Sequence, residues 1–235
     1  MNIVEPYARI THINGRPPAP GAGIEALRYI EWCGRISHRS EEKQDSDTWE
    51  RFIKAVVIDH GDWSIVEHAT ASVDFLVDRG ITHEIVRHRL FSFTQESTRF
   101  VNYEKKMPPS FIQPEGLSDE VERAANGEAT EISSRQAWKM AISTAEGAYR
   151  KMLAKGCAPQ IARSVFPNAL ASRLVVTGNL RNWRHFFIMR TTKEAHPQMR
   201  QVTIPLLGAF KALIPILFDD IEPMARQAEG MKRGR

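Results

Sequence analysis

Cysteine is scarce in this 235-residue chain, and long hydrophobic runs are missing. Only Cys33 and Cys157 are present, and neither belongs to a C-x-x-C pair, so a disulfide framework is excluded. This favours a reducing, intracellular compartment, and we expect a cytoplasmic protein. The first residues carry no apolar segment of the signal-peptide type, and no run approaches the ~18 apolar residues of a membrane helix. We therefore expect neither a secreted nor a membrane-spanning protein.

Several common catalytic and cofactor-binding motifs are also missing from the sequence. There is no Walker loop and no G-x-S-x-G nucleophile elbow. The segment 21–26 matches G-x-G-x-x-G/A only formally, because prolines precede it where that motif needs a strand. His83 and His88 stand one residue too far apart for the H-E-x-x-H zinc motif. We predict no metal site.

The overall charge is mildly positive. Lys and Arg number 32 against 28 Asp and Glu, which gives a net charge of +4 with neutral histidines. Such an excess favours anionic partners such as phosphates, nucleotides or nucleic acid, but it is too small to indicate nucleic-acid binding by itself. With 42% hydrophobic residues the chain can bury a core, as a globular protein does.

Hydrophobic periodicity predicts more helices than strands. Strand patterns cover residues 69–78, 91–94 and 172–177, whereas helical patterns cover 23–33, 49–57, 81–90, 132–155, 159–165, the residues after Asn179, and 197–213. Asp47 and Glu50 resemble a capping box, Gly156 a helix C-cap, and Pro205 a kink. The predicted class is α+β, or α/β with few strands, with a small sheet packed against several helices in one domain.

Composition divides the chain into three parts. Residues 1–22 read as an N-terminal extension and loop, 23–224 as the main domain, and 225–235 as a basic tail that we expect to be disordered. No internal repeat and no low-complexity linker interrupts the main domain.

One cluster of hydrogen-bond donors stands out from the rest of the sequence. It consists of Arg87, His88, Arg89, Ser92, Thr94, Gln95, Ser97 and Arg99. Planar arginine forks and hydroxyls of this kind suit phosphates and the carbonyl edges of uracil or flavin rings. The alternative is a solvated basic helix end, but the alternating hydroxyls weigh against it.

Two further segments combine polar side chains with apolar ones. Residues 60–68 contain Ser64, Glu67 and His68, and the alternative for them is a helix-to-strand turn with a structural Glu67–His68 pair. Arg163 and the helix after Asn179 supply more cations, with Arg181 and His185 four residues apart on one helix face. The default role for Asn179 is an N-cap.

These segments, in this order, closely resemble the flavin-dependent thymidylate synthases. The resemblance rests on R-H-R-x-x-S-x-T-x-x-S-x-R at 87–99, on the blocks at 60–68 and 163–168, and on V-V-T-G-N-L-R-N-W-R-H-F at 175–186. It covers roughly residues 24–222, which makes 23–224 the catalytic domain. Thr94 and Phe100 depart from the family pattern, where Asn and Tyr are common.

The resemblance implies a homotetramer with active sites built from more than one chain. It implies bound FAD, with NADPH and 5,10-methylenetetrahydrofolate as co-substrates in the conversion of dUMP to dTMP. It implies no nucleic-acid and no membrane partner. By position it assigns dUMP binding to Glu84, Ile85, Val86, Arg87, Gln95, Glu96, Ser97, Thr98, Arg99, Arg163 and Arg190. It assigns flavin binding to Ser64, Arg87, His88, Arg89, Gln95, Asn179, Leu180, Arg181 and His185.

The chemistry of the reaction gives these residue types their expected roles. Carbon 5 of uracil is a weak nucleophile, and a fixed guanidinium that stabilises negative charge at N3 and O4 activates it; the resemblance gives this catalytic role to Arg190. A cationic stretch around His88 and Arg89 would stabilise reduced flavin. Ser97 has no evident neighbouring base, so we expect it to donate to phosphate rather than to act as a nucleophile.

Two other functions remain compatible with the residues. One is a flavin- and folate-dependent uracil methylase that acts on RNA, because arginines and aromatic residues lie near one another. The other is a non-catalytic nucleotide- or RNA-binding protein that has kept the phosphate donors.

Overall fold

The computed structural model describes residues 1–103, 107–121 and 132–224, so the predicted tail at 225–235 lies outside the described residues. The strands are β1 Asn2–Ile3, β2 Tyr7–Ile13, β3 Thr70–Asp78, β4 Ser92–Gln95, β5 Ser110–Phe111 and β6 Ala171–Asn179. The helices are α1 Ala22–Ile36, α2 Thr48–Phe52, α3 Arg79–Ile85, α4 Ser134–Ala154, α5 Pro159–Ala162, α6 Leu180–Arg190 and α7 Pro197–Leu213. Short 3₁₀ turns occupy Glu41–Lys43, Trp63–His68 and Arg163–Val165, and a π-helical segment occupies Ile53–Asp59.

The fold is mixed α+β, as predicted. The chain divides into two compact units whose segments alternate along the sequence. The first unit contains Met1–Pro6, Leu76–His83 and Gln95–Arg173, and the second contains Tyr7–Phe75, Glu84–Thr94 and Leu174–Arg235. Among the described residues, no helix has the length and apolar character needed to cross a membrane.

The larger sheet has four strands in the order β2-β3-β6-β4, and the second unit contains an aromatic core. Trp183 is fully buried, and its indole N–H donates to the carbonyl of Ala71 (3.0 Å). Its ring lies 4.8 Å from that of Phe91 and 5.4 Å from that of Phe210, both edge-on or tilted. Such pairs add to the free energy of burial, so this core fixes α6 against the sheet.

Strand β2 corrects the prediction that residues 1–22 form only an extension and loop. Tyr7–Ile13 is an edge strand of the sheet, next to β3. Its polar residues hold a buried carboxylate: Arg9 contacts Asp74 Oδ2 through Nε (3.1 Å) and Nη2 (2.9 Å), and the Tyr7 hydroxyl donates to the same oxygen (3.3 Å). Because the strand binds through polar side chains, it lacks the apolar alternation by which strands are recognised.

The first unit is organised by the long helix α4. A capping box starts it: the Ser133 hydroxyl accepts from the Gln136 N–H, and the Gln136 side chain accepts from the Ser133 N–H. Tyr149 of this helix is fully buried and lies 4.5 Å from the Phe166 ring, centre to centre. Gly156, with φ +86°, ends the helical segment as predicted.

Most predicted elements are confirmed, with changes at their ends. The strands at 70–78 and 171–179, helix α4, and α7 with Pro205 inside it all lie where the pattern placed them. Helix α3 begins at Arg79, two residues before the predicted start, because Asp78 Oδ1 accepts the Ile81 N–H (2.8 Å). It ends at Ile85 and not at the predicted residue 90. The Asp47–Glu50 capping box is wrong, because Asp47 makes no side-chain cap, and the helix after Phe52 continues as a π-helix.

Two helical glycines of the second unit predict opposite stability effects. At Gly23 a Cβ would lie 1.7 Å from the carbonyl oxygen of Leu213, whereas at Gly208 it would meet no described atom within 4 Å. We expect Gly23→Ala to lower the free energy of unfolding by about 1–3 kcal/mol through overpacking. The control, Gly208→Ala, should raise it by about 0.4–1 kcal/mol by restricting the unfolded chain. Denaturant unfolding measures both, and equal effects would contradict the packing at Gly23.

Candidate functional site

Helix α6 of the second unit places the residue that the sequence marks as catalytic. Asn179 Oδ1 accepts the Asn182 N–H (2.8 Å), so Asn179 is the N-cap that its default role predicted. Leu180, Trp183 and Phe186 bury one face of the helix. Arg190 is the last residue of α6, where the carbonyl ends of the helix favour a cation.

Three hydrogen bonds fix the Arg190 guanidinium within this unit. Nη1 donates to Glu84 Oε2 (2.9 Å), Nη2 donates to the Glu84 carbonyl (3.2 Å), and Nε donates to His88 Nε2 (2.9 Å). Burial lowers the pKa of Arg190, and the Glu84 carboxylate opposes that shift. The group is therefore a cation held in one orientation.

His88 is neutral, which corrects its predicted place in a cationic stretch. Burial, followed by the charges of Arg190 and His185, lowers the pKa of His88 from 6.5 to about 4. Its ring packs edge-on against Phe186 (5.0 Å between centres). The positive charge near the predicted flavin contacts thus comes from the arginines.

A cavity of about 260 Å³ opens beside these residues. It is lined by Arg87, His88, Arg89, Leu90, Phe91, Asn182 and His185. Four of them belong to the predicted flavin set, and Asn182 is an addition that the sequence analysis missed. The Asn182 amide donates to the Leu90 carbonyl (3.0 Å), which ties α6 to the segment after Arg89.

The other predicted flavin contacts of the second unit lie near the 3₁₀ turn Trp63–His68. Arg181 Nη1 forms an ion pair with Glu67 Oε1 (2.6 Å), so Glu67 has Arg181 as its ion-pair partner instead of the Glu67–His68 pair considered above. Ser64 is exposed on the same turn. Arg184 of α6 lies over the Trp63 ring (4.5 Å), and this contact joins the turn to α6. Arg184 also forms an ion pair with Asp220.

In the first unit, Gln95 is oriented by two buried hydroxyls. Its Nε2 donates to Thr82 Oγ1 (3.0 Å) and to Ser172 Oγ (3.1 Å). Both amide hydrogens are thereby used. Among the residues that the structure describes, the carbonyl oxygen Oε1 has no hydrogen-bond partner, so it can accept a ligand N–H.

A second cavity, of about 370 Å³, collects donors in the first unit. Arg163 Nη1 donates to the buried Thr98 hydroxyl (2.7 Å), and both residues line this cavity. Arg79 and His83 also line it and were missed by the sequence analysis, because neither belongs to a segment that resembles a phosphate-binding motif. Ser97 Oγ accepts the Arg99 N–H (3.3 Å), which closes a tight turn. Such a donor set suits a phosphate.

Two predicted dUMP residues are engaged in internal contacts. Glu96 Oε1 accepts the Tyr103 hydroxyl (3.0 Å) within the first unit, and burial, with Glu96 beside it, raises the pKa of Tyr103. Ile85, in the second unit, is 1% exposed, so its side chain belongs to the core. Any contact from Ile85 to a ligand would come from its backbone.

The chain is similar to known proteins over most of its length. The family model described as thymidylate synthase complementing protein matches residues 24–216. The chain is 35% identical over 202 residues to the flavin-dependent thymidylate synthase of Mycolicibacterium gilvum, covering 82% of this chain and 78% of that protein. It is 34% identical over 208 residues to the one of Mycobacterium avium, covering 86% and 81%.

The chain belongs to the thymidylate synthase complementing protein family. The resemblance to flavin-dependent thymidylate synthases is thereby confirmed. Among solved structures, the UMP/dUMP methylase PolB of Streptomyces cacaoi, bound with 5-Br dUMP, has the same fold, with a TM-score of 0.69 at 22% identity over 93% of this chain and 95% of that one.

Because the pKa of His88 is low in the folded protein, we expect the free energy of unfolding to fall when the pH is made mildly acidic. An unfolded histidine titrates near 6.5 and the folded one at about 4, so the unfolded chain binds more protons in between. The free energy of unfolding should therefore fall as the pH is lowered from 6.5 towards 4. In His88→Gln this part of the fall should be missing. Denaturant unfolding across that range tests it, and equal pH slopes for the two proteins would contradict it.

Proposed function

We propose that this chain is a FAD-dependent thymidylate synthase, which methylates dUMP to dTMP with 5,10-methylenetetrahydrofolate as carbon donor and NADPH as reductant. The observation that carries the proposal is the Arg190 guanidinium, fixed by Glu84 and His88 in a chain of this family. The names of the relatives and the 5-Br dUMP held by PolB support the flavin and the nucleotide.

Arg190 has the chemistry to activate a uracil ring. Of its five N–H groups three are bound to Glu84 and His88, and each Nη keeps one N–H without a partner among the described residues. These two donors suit the developing negative charge at N3 and O4, which makes carbon 5 more nucleophilic. A guanidinium stabilises that charge without losing its own proton.

The phosphate of dUMP is proposed to bind in the first unit. Arg163 and Thr98 present a cation and a hydroxyl to the 370 Å³ cavity, and Thr98 belongs to the turn that the Ser97 hydroxyl closes. Arg79 and His83 line the same cavity, and Arg79 adds positive charge there. Charge-assisted donors of this kind bind a phosphate dianion. The Gln95 carbonyl can accept a ligand N–H.

The lining of the second-unit cavity has the chemistry to contact the isoalloxazine ring of FAD. Arg87 and Arg89 supply positive charge, while Asn182 and His185 add polar groups suited to the carbonyl edge of an isoalloxazine. Bound flavin would supply the hydride that reduces the transferred carbon. The chain's own residues hold the ring, stabilise negative charge on it and orient the pyrimidine.

The remaining parts of the proposal rest on the family resemblance. They are the NADPH and folate co-substrates, and the homotetramer with sites built from more than one chain. A cytoplasmic location rests on the two free cysteines, Cys33 and Cys157.

The flavin spectrum of the purified protein tests the proposed function. We expect a yellow protein whose flavin absorbance bleaches with NADPH, faster when dUMP is present, and which forms dTMP once methylenetetrahydrofolate is added. A colourless protein retained on RNA, or a flavoprotein that methylates RNA but not dUMP, would contradict the proposal.

The phosphate contact predicts an effect of Arg163→Met on the nucleotide. We expect the KM for dUMP to rise by about 10- to 100-fold, because a hydrogen bond to a charged group contributes about 1.5–3 kcal/mol. The matched control is Arg150→Met, which removes a first-unit arginine that pairs with Glu146. Steady-state kinetics with varied dUMP compares the two. A KM that rises equally in both variants, or in neither, would contradict the assignment.

A further inference from the structure

The hydrogen bond between Arg190 and His88 fixes the proton of the imidazole. An arginine carries only donors, so the Nε–H of Arg190 can bond His88 Nε2 at 2.9 Å only if that nitrogen has a free lone pair. His88 must then be neutral, with its proton on Nδ1. The donor direction follows from arginine chemistry alone.

The groups around His88 favour the same neutral form. From α6 it faces Arg190 and His185, whose ring centre lies 6.3 Å away, and its own segment carries Arg87 and Arg89. The nearby carboxylate, Glu84, is bound to Arg190. Phe91 and Phe186 pack edge-on against the half-buried ring. A second proton on His88 would place a cation next to the Arg190 guanidinium.

We propose that His88 is a positioning residue for Arg190, and that it acts on the pyrimidine through that guanidinium rather than on the flavin as a cation. This inference rests on the proposed function and refines one of its assignments. Glu84 holds the two Nη atoms, and His88 holds Nε on a different edge of the guanidinium. Both contacts together define the plane in which the two remaining N–H groups point.

Loss of the His88 contact leaves Arg190 present but less oriented. The guanidinium then keeps its charge and its bond to Glu84, and it can rotate about the bonds that lead to Nε. A misplaced donor stabilises a transition state poorly while it still attracts the ground state. We therefore expect the turnover number to fall more than the affinity for dUMP or for flavin.

Two substitutions separate the acceptor from the ring. His88→Phe keeps an aromatic ring between Phe91 and Phe186 but removes the acceptor, and His88→Gln keeps an acceptor oxygen near the place of Nε2. We expect kcat to fall by about 10- to 100-fold in His88→Phe. It should stay within about threefold in His88→Gln, with flavin content per chain unchanged in both. Flavin loss in both variants, or equal kcat losses, would overturn the inference.

The tautomer itself is measurable without any turnover. In ¹⁵N-histidine-labelled holoprotein at neutral pH, the His88 resonances, identified by their absence in His88→Gln, should show an unprotonated Nε2 and a protonated Nδ1. A protonated Nε2 would overturn the inference even if the variants were slow. If the wild-type protein made no dTMP, the proposed function would fail, while the spectrum would still decide the contact between His88 and Arg190.

Discussion

The proposed function of this chain depends on the Arg190 guanidinium, which three hydrogen bonds hold in one orientation. An arginine side chain is long and mobile, and it discriminates between positions of charge only when other groups define its plane. Glu84 and His88, both more than 100 residues earlier in the sequence, supply those groups. Their contacts turn a general attraction for anions into a directed one, which a reaction through negative charge on a pyrimidine requires.

Contacts within the second unit determine the position of the Arg190 side chain. Asn179 caps the N-terminus of α6, and the Trp183 indole N–H donates to the Ala71 carbonyl of β3. These two contacts fix the position of α6, and so of Arg190 in its last turn, relative to β3. His88 packs against Phe91 and Phe186, whose rings also contact Trp183 in the aromatic core. The packing of the core and the proposed orientation of Arg190 therefore depend on the same rings.

Local patterns were enough to predict part of this structure. Strand β3, helix α4 and the cap at Asn179 have strong periodic or capping signals. Strand β2 was missed because its contacts to Asp74 are polar. The neutral state of His88 could not be predicted, because it depends on a donor 102 residues away, and R-H-R by itself suggests three cations. Arg79 and His83 likewise come to line the 370 Å³ cavity of the first unit only through the fold.

An oriented Arg190 should make bound uracil easier to ionise. The most direct measurement is the pH at which enzyme-bound dUMP loses its N3 proton, followed by ultraviolet difference absorbance in the holoprotein. In the wild-type protein we expect the N3 pKa of bound dUMP to lie at least about one unit below that of free dUMP. A shift of one unit corresponds to about 1.36 kcal/mol of differential stabilisation of the ionised form. In Arg190→Lys we expect an N3 pKa near that of free dUMP. The same N3 pKa for bound and free dUMP in the wild-type protein would contradict it.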